Sequence, residues 1–200
     1  GNTSDPSAGL NITIDTTAPA QPVITTESLI TNNNKPVLEG TAEPGSVVNF
    51  LVGGQDIGFS STANTDGVFI FDFNTQDEVV PDGDYLITVT ATDEAGNTSV
   101  PSAGLSITID TTAPNVPVIN VSENVSTSPN LLFTGSTDPG TTVTVFYNQD
   151  SGTIFTESVT PSSDGTFELE QDSDNDLIPD GTYFVTATAT DPAGNESAQS

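Results

Sequence analysis

The chain repeats itself with a period of about 95 residues, and this repeat restricts the possible folds more than any other feature. Residues 1–24 read GNTSDPSAGLNITIDTTAPAQPVI and residues 96–119 read GNTSVPSAGLSITIDTTAPNVPVI, so 20 of 24 positions match. Between these segments the match is weaker but continuous, with EPG at 43–45 answered by DPG at 138–140. A period of this length suits a whole domain rather than a solenoid unit. The sequence therefore predicts a tandem array of domains.

Within each repeat, apolar and polar residues alternate. In YLITVTATD (85–93) the residues Tyr85, Ile87 and Val89 share one face, and YFVTATATD (183–191) repeats the pattern. Alternation with a period of two is typical of half-buried antiparallel strands. Turn sequences such as EPG, TDG, PDG and EAGN separate these segments, and no helical period competes with them. The fold class predicted is all-β: tandem Ig-like Greek-key β-sandwiches, about seven strands per repeat, arranged end to end.

The same pattern predicts the domain boundaries. Residues 1–15 are the last strand (G) of a preceding repeat, residues 16–110 are repeat 1, and residues 111–200 are repeat 2, which lacks its last strand. The strands expected in repeat 1, lettered A to G in chain order, cover 22–26, 36–42, 46–53, 57–62, 67–73, 84–92 and 103–109. Tyr85 and Tyr183 follow a PDG turn just before a strong strand, where a tyrosine corner stands in such sandwiches.

The charge composition excludes several classes of function. The chain has 28 Asp plus Glu against one Lys plus Arg, a formal net charge of −27, and neither Cys nor His. One cation cannot neutralise a phosphate backbone, so nucleic-acid binding and docking on an anionic membrane are not expected. Zinc clusters, disulfides, thiol nucleophiles and Ser-His-Asp triads are absent as well. Paired carboxylates could hydrolyse glycosides, but these acids recur at every junction and aromatic residues are scarce, so we predict no enzyme.

The predicted topology brings acids together at each junction between repeats. In a seven-strand sandwich the incoming linker, the B–C turn and the F–G turn share one pole. The residues expected to meet there are Asp15, Glu43, Asp93 and Asn97 in repeat 1, and Asp110, Asp138, Asp191 and Asn195 in repeat 2. Each carboxylate pair at ~4 Å costs roughly 4 kcal/mol at an effective dielectric constant of about 20.

A bound Ca²⁺ would supply the missing positive charge, because carboxylates, Asn amides and backbone carbonyls suit its shell of oxygen ligands. Lys35, the only basic residue, cannot serve two junctions. The alternative is that these acids cap their turns and face water separately, since Asp before Gly and Asn after it are common turn residues.

A second candidate calcium site lies in the E–F loop of repeat 2. Its acids are Asp172, Asp174, Asp176 and Asp180. They stand at positions 1, 3, 5 and 9 of an EF-hand loop, but position 6 is Leu177 rather than Gly and position 12 is Tyr183 rather than Glu. The loop is therefore not an EF-hand, and a calcium site and a solvated acidic loop both remain open. Whether the poorer E–F loop of repeat 1 binds metal also stays open.

The motifs D-T-T-A-P-x-x-P-x-I (15–24 and 110–119) and T-D-x-A-G-N (92–97 and 190–195), with the E/D-P-G turn, resemble bacterial Ig-like repeats over the whole chain. Such repeats occur in giant secreted adhesins, including the RTX-type adhesins of Gram-negative bacteria. The resemblance implies an extracellular stalk, or extender, of a cell-adhesion and biofilm protein, with Ca²⁺ stiffening its joints. It implies junction ligands at Asp15, Glu43, Asp93, Asp110, Asp138 and Asp191.

The partners expected are the neighbouring repeats of the same chain. Residues 6–14 of one molecule could also fill the missing strand of another, which gives head-to-tail chains by strand donation. The sequence leaves two alternatives open. One is a module that binds a carbohydrate or protein at a cell surface, favoured by Phe146, Tyr147 and Phe155. The other is that the acidity reflects salt adaptation without specific metal binding.

Overall fold

The computed structural model describes residues 1–121, 132–149, 152–170 and 181–200. It is nearly all β, as predicted. The strands of the first half are β1 (Val23–Ile24), β2 (Leu29–Thr31), β3 (Val37–Thr41), β4 (Val47–Val52), β5 (Gln55–Thr62), β6 (Val68–Asp72), β7 (Gly83–Thr92) and β8 (Leu105–Ile109). A 3-10 helix, Phe73–Thr75, follows β6.

The strands of the second half are β9 (Val118–Val121), β10 (Leu132–Ser136), β11 (Thr142–Gln149), β12 (Gly152–Val159), β13 (Thr166–Glu170) and β14 (Phe184–Thr190). The first half has a three-stranded sheet in the order β1-β3-β6 and a five-stranded sheet in the order β2-β8-β7-β4-β5. The second half has the sheets β13-β10-β9 and β12-β11-β14. The neighbouring pairs β1–β3, β3–β6, β4–β5, β4–β7, β9–β10, β10–β13, β11–β12 and β11–β14 are antiparallel.

The seven strands predicted for repeat 1 all overlap observed strands, although the first is confined to Val23–Ile24. The sequence pattern missed β2, which is three residues long and too short to show an alternation. Residues 1–22 form no strand in the structure, so their membership of a preceding repeat stays a prediction.

The chain divides into two compact units that interleave in sequence. One comprises Gly1–Ser28, Lys35–Val79 and Asp84–Ile107, and the other comprises Leu29–Asn34, Val80–Gly83 and Thr108–Ser200. From the first half of the chain, the second unit thus includes β2 with the three residues after it and residues 80–83 at the start of β7. The predicted repeat boundaries at residues 16, 110 and 111 remain predictions.

The core of each unit follows the alternation of its strands. In the first unit Leu38, Val48, Phe50, Phe69 and Val89 are buried. Five phenyl rings form a cluster in which neighbouring centroids lie 4.9–6.0 Å apart: Phe50, Phe59, Phe69, Phe71 and Phe73. In the second unit the core residues are Phe133, Val143, Val145, Tyr147, Phe167 and Ala187. Burial of these side chains is the main favourable term in folding.

One glycine in each unit allows an aromatic ring to pack over the sheet. Gly40 lies opposite Phe69 in the β3–β6 pair, and Gly135 lies opposite Phe167 in the β10–β13 pair. A Cβ at Gly40 would collide with the Phe69 ring and the Val23 carbonyl oxygen, and Gly135 has the same surroundings. Glycine is therefore required here for close approach rather than for its φ angle.

Paired serines cover the strand that follows each tyrosine. The Ser99 and Ser102 hydroxyls accept hydrogen bonds of 3.0 Å from the backbone N–H groups of Ala91 and Val89. Ser197 and Ser200 do the same for Ala189 and Ala187. These serines satisfy backbone donors that a ladder partner would otherwise satisfy.

Candidate functional site

The two T-D-x-A-G-N turns have the same internal geometry. The carboxylate of Asp93 accepts hydrogen bonds from the backbone N–H and the side-chain amide of Asn97, both at 2.8 Å. Gly96 has a φ of 92°, which favours glycine. The motif therefore builds a turn in which the carboxylate and the amide are held face to face.

Each of these amides also reaches the linker that precedes the repeat. The Asn97 Nδ2 donates to the backbone carbonyl oxygen of Asp15 at 3.2 Å, within the first unit. The Asn195 Nδ2 donates to the carbonyl oxygen of Asp110 at 2.8 Å and to Asp191 Oδ2 at 2.8 Å, within the second unit. The structure thus brings the predicted linker, Asp and Asn residues together in each unit through one amide. We call each of these trios an amide clip.

The linker aspartates use their carboxylates locally. The Oδ1 of Asp15 accepts from the N–H of Thr17 at 2.9 Å, and the Oδ1 of Asp110 accepts from the N–H of Thr112 at 3.0 Å. Such Asx turns are a local property of Asp in a D-T-T sequence. It is the backbone carbonyl of each linker Asp, rather than its carboxylate, that meets the Asn amide.

The B–C turn acids have different surroundings. Glu43 is exposed, and its backbone carbonyl accepts from the N–H and hydroxyl of Ser46. Asp138 accepts from the backbone N–H of Asn115 at 2.7 Å and from its side-chain amide at 3.1 and 3.2 Å. The counterpart of Asn115 in the first repeat is Ala20, which has no side-chain amide.

Across the described parts of the chain, no three acidic side chains lie close enough together to hold a metal ion. The predicted sites at Asp15, Glu43 and Asp93 and at Asp110, Asp138 and Asp191 therefore remain predictions about the calcium-loaded protein. The other predicted ligands, Asp172, Asp174, Asp176 and Asp180, lie outside the described residues.

The linker is also held by Asp82, a carboxylate of the E–F loop of repeat 1 whose part in metal binding the sequence leaves open. Asp82 Oδ1 accepts from the N–H of Thr111 at 3.1 Å and from its hydroxyl at 2.8 Å, and Asp82 Oδ2 accepts from the hydroxyl of Thr112 at 3.1 Å. All three residues belong to the second unit. The recurrence of two threonines after each linker Asp, together with the recurrent PDG turn, was the available signal.

These contacts alter the acidity of the carboxyl groups. The hydroxyl and N–H of Thr111 lower the pKa of Asp82 below its ordinary value of 3.8, and the Asn97 side chain lowers the pKa of Asp93. The N–H and side chain of Asn115 lower the pKa of Asp138. Burial acts to raise the pKa of Asp191, but the hydrogen bonds led by Asn195 outweigh it and the pKa is lowered. The ionised form of each carboxylate is therefore the one that these donors stabilise.

The aromatic residues that favoured a ligand-binding module are packed against their own unit. Tyr147 is 1% exposed, stacks on Phe155 with ring centroids 4.1 Å apart, and donates from its hydroxyl to Glu157 at 3.1 Å. Phe146 is half-buried. A polar groove of about 780 Å³ in the second unit is lined mainly by hydroxyl and amide groups. Its lining includes Asn120, Thr134, Ser136, Thr160, Ser162 and Glu168.

A bacterial Ig-like domain model matches the chain twice, over residues 24–111 and 119–200. The chain belongs to the bacterial Ig-like domain family. Domains of this family are generally non-catalytic and are typically extracellular or surface-associated. Among the described residues, no helix is long and apolar enough to cross a membrane.

Three similar proteins place the family membership in context. Exoglucanase B of Cellulomonas fimi is 33% identical over 214 residues, which cover all of this chain but only 18% of that enzyme. A crystal structure of a tetra-tandem repeat in the extending region of a large adhesion protein is 24% identical, with a TM-score of 0.39, and the match covers 93% of this chain and 49% of that one. The chicken CNTN1 FN1–FN3 domains are 16% identical with a TM-score of 0.50, covering 92% of this chain and 64% of that one. The last likeness shows the sandwich fold alone.

Proposed function

We propose that this chain is a non-catalytic extender, a stalk segment of a bacterial surface adhesin that Ca²⁺ rigidifies at the junctions between repeats. The observation that carries the proposal is the repeated amide clip, in which the amides of Asn97 and Asn195 hold the backbone carbonyls of Asp15 and Asp110. A ligand-binding module needs one distinctive surface, whereas an extender needs the same joint in every repeat. The same joint recurs in both repeats.

The groups that could act as metal ligands in each amide clip are compatible with calcium. Each clip offers a carboxylate, a backbone carbonyl and a side-chain amide, all of which are oxygen ligands that Ca²⁺ accepts. Both oxygens at the first clip lie within 3.2 Å of one amide nitrogen, so they already converge. Rotation of the Asn97 amide by half a turn would replace its donor group with a third oxygen. The junction acids Glu43 and Asp138 would add carboxylates from the neighbouring turns.

A stalk of this kind gains stiffness when the residues that link its repeats are fixed. The linkers TTAPAQP and TTAPNVP contain two prolines each and no glycine, which favours an extended connection. Calcium at 10 to 100 times its dissociation constant would add roughly 1.4–2.7 kcal/mol per site. Extracellular modules often bind calcium with dissociation constants of 10⁻⁴–10⁻³ M, which suits the cell surface of a Gram-negative bacterium.

The test is small-angle X-ray scattering and thermal unfolding, each with 5 mM calcium and with chelator. We expect calcium to raise the melting temperature of the chain. We also expect it to reduce the range of conformations in solution, seen as a change in the distance distribution and in the maximum dimension from scattering. The double variant Asp93→Asn/Asp191→Asn should lose most of this response, and Asp5→Asn, a change in an exposed residue outside the clips, should keep it. Identical curves with calcium and chelator for the unmodified chain would refute the calcium joint.

The alternative is a carbohydrate-binding module, and the polar groove of the second unit is the observation that favours it. The similarity to an exoglucanase makes glucan oligosaccharides the probe of choice. Titration calorimetry with soluble cello-oligosaccharides should give no heat of binding if the chain is an extender. Saturable binding that is lost in Glu168→Ala would instead support the module.

The partners we propose are the neighbouring repeats of the same chain and, between molecules, other copies joined head to tail by strand donation. Among the described residues no named strand lies on the outer side of β14, where the N–H groups of Ser197 and Ser200 donate to the carbonyl oxygens of Ala189 and Ala187. A strand donated by another copy would extend the part of this edge that these serines leave free.

A further inference from the structure

Three segments of the second unit are joined pairwise by hydrogen bonds. The N–H of Asp110 donates to the carbonyl oxygen of Thr31 at 3.0 Å, and the N–H of Asn32 donates to the carbonyl oxygen of Ala193 at 3.1 Å. The Asn195 side-chain amide closes the circuit by donating to the carbonyl oxygen of Asp110 at 2.8 Å. All five residues belong to the second unit. We call this arrangement the joint ring.

The joint ring connects two successive repeats rather than two ends of one turn. Thr31 and Asn32 lie within the first match to the family, residues 24–111, and Ala193 and Asn195 lie within the second, residues 119–200. Asp110 stands between them in the linker, with its N–H bonded to the first repeat and its carbonyl oxygen bonded to the second. The backbone of one linker residue is therefore fixed from both sides.

The part of the first repeat that contributes to the ring is braced by a neighbouring turn. The N–H of Val80 donates to the carbonyl oxygen of Asn34 at 2.9 Å, which ties residues 32–34 to the turn at 80–83. The same turn presents the Asp82 carboxylate to the linker. Thr31, Asn32 and Asp82 thus offer one carbonyl oxygen, one N–H group and one carboxylate from the end of the first repeat. We call these three residues the docking surface.

We propose that the docking surface recognises the following repeat by its D-T-T linker and its T-D-x-A-G-N turn, and that it closes the joint without a metal ion. The inference rests on the extender role proposed above and adds the surface by which one repeat is joined to the next. Every bond of the joint ring runs from an N–H group to a neutral carbonyl oxygen, so none of them requires a cation. Calcium would stiffen a joint that is already closed.

Two features of the following repeat make it fit this surface. The hydroxyl groups of Thr111 and Thr112 both donate to Asp82, so a linker without hydroxyl groups would leave this carboxylate with fewer donors. A Cβ placed on Gly194 would lie 3.8 Å from the Asn32 amide nitrogen, whereas a Cβ on Gly96, in the equivalent turn of the first repeat, has no atom within 4 Å. The partner that fits is therefore a repeat with two hydroxyl residues after the linker Asp and glycine in its turn.

Amide hydrogen exchange of the full 200-residue chain in chelator tests the joint ring. The N–H of Asn32 should exchange at least about ten-fold more slowly than that of Asn11, an exposed residue outside any strand. Asn195→Ala removes one corner of the ring and should accelerate exchange at Asn32 by about 3–10-fold, the equivalent of one hydrogen bond. Asn97→Ala removes the same amide from the first clip and should leave exchange at Asn32 unchanged.

A second pair of variants tests the close approach of the turn. Gly194 and Gly96 both have a φ of 92°, and asparagine tolerates positive φ better than most residues with a side chain. Gly194→Asn places a longer side chain against Asn32 and should accelerate exchange there by about 3–10-fold, whereas Gly96→Asn should not. Exchange at Val145, in the core of the same unit, reports any general loss of stability and should change less than exchange at Asn32.

Three results would overturn the docking surface. They are an Asn32 N–H that exchanges as fast as that of Asn11 in the unmodified chain, an equal response of Asn32 to both members of either pair, and a change at Val145 as large as that at Asn32. All of these measurements are made in chelator. A failure of the docking surface is therefore distinct from a failure of the calcium joint, which would appear as identical scattering and melting curves with calcium and with chelator.

Discussion

The side-chain amide of Asn195 donates a hydrogen bond of 2.8 Å to the backbone carbonyl oxygen of Asp110, 85 residues away in sequence. Asn195 is 9% exposed, and the same amide holds the carboxylate of Asp191. One side chain therefore ties the end of a β-turn to the start of the linker, and Asn97 makes the same connection to Asp15. Local motifs that look like ordinary turns in the sequence are long-range joints in the structure.

Removal of this amide should weaken the second unit. We expect Asn195→Ala to lower the free energy of unfolding by about 1–3 kcal/mol, because two oxygen atoms lose a donor in a partly buried place. The melting temperature should then fall by roughly 2–4 °C for each kcal/mol of unfolding free energy lost in a chain of this size. The matched control is Asn11→Ala, in an exposed residue, which should unfold with the unmodified chain. Equal melting temperatures for the two variants would contradict a structural role for the clip.

The carboxylate of Asp82 should hold the linker without help from a metal. In Asp82→Ala the backbone N–H of Thr111 and the hydroxyl groups of Thr111 and Thr112 lose their acceptor, so hydrogen exchange at the Thr111 amide should accelerate in the presence of chelator. Asp82→Asn keeps one acceptor oxygen and should show a smaller effect. Exchange that is unchanged in Asp82→Ala would mean that the linker is held by other contacts.

Most of the fold could be predicted from the sequence because the alternation of apolar and polar side chains is a local pattern, visible within the residues of each strand. Leu105, Ile107 and Ile109 alternate in sequence and are buried together in β8. The short strand β2 could not be predicted, since its three residues take their strand conformation from a neighbour in the sheet.

The candidate sites were harder to predict than the fold. Asn97 contacts both Asp15 and Asp93 in the structure, but the sequence prediction treated every acid as a carboxylate that faces the junction. The orientation of each group depends on donors that lie far away in sequence. Asn115, for example, captures Asp138, and no pattern around Asp138 shows this. Asp82 was considered only as a member of the poorer E–F loop of repeat 1, and its contacts with the linker were not predicted, because its partners lie 29 and 30 residues further along the chain.

The two sheet glycines should tolerate no side chain. Gly40→Ala places a methyl group against the Phe69 ring and the Val23 carbonyl, so we expect a loss of about 1–3 kcal/mol in the free energy of unfolding. Gly9→Ala is the control, since no atom lies within 4 Å of the added carbon. Urea unfolding of both variants measures the difference. A Gly40→Ala variant as stable as the unmodified chain would show that the ring can move aside.

Equivalent isoleucines in β8 and in the amino-terminal segment should differ in their contribution to stability. Ile107 is 2% exposed and Ile12 is 76% exposed, although they occupy the same position of the repeated sequence. Ile107→Ala should cost about 2–5 kcal/mol, as large-to-small core substitutions do. Ile12→Ala, measured at a concentration low enough to keep the chain monomeric, should change the free energy of unfolding by less than about 0.5 kcal/mol. A comparable loss in both variants would mean that residues 9–14 pack within their own chain.

Acid should remove the contribution of Asp138 to stability. The N–H and side chain of Asn115 hold the pKa of Asp138 below 3.8 in the folded chain, so folding favours the ionised carboxylate. A group with a lowered folded-state pKa stabilises the protein above its unfolded-state pKa, and this stabilisation is lost as the pH falls through the folded-state pKa. The difference in free energy of unfolding between the unmodified chain and Asp138→Asn should therefore be constant above about pH 5. It should shrink as the pH falls below 3.8, the ordinary pKa of the carboxyl group.

The comparison between two variants separates this effect from the general loss of negative charge on acidification, which acts on both chains alike. Urea titrations at intervals between pH 6 and pH 2 provide the measurement. Asp5→Asn, in an exposed residue, should give a difference that stays near zero throughout. If the Asp138→Asn difference were as large at pH 2 as at pH 6, the prediction would be wrong. The hydrogen bonds from Asn115 would then contribute equally to stability whether or not the Asp138 carboxyl group is ionised.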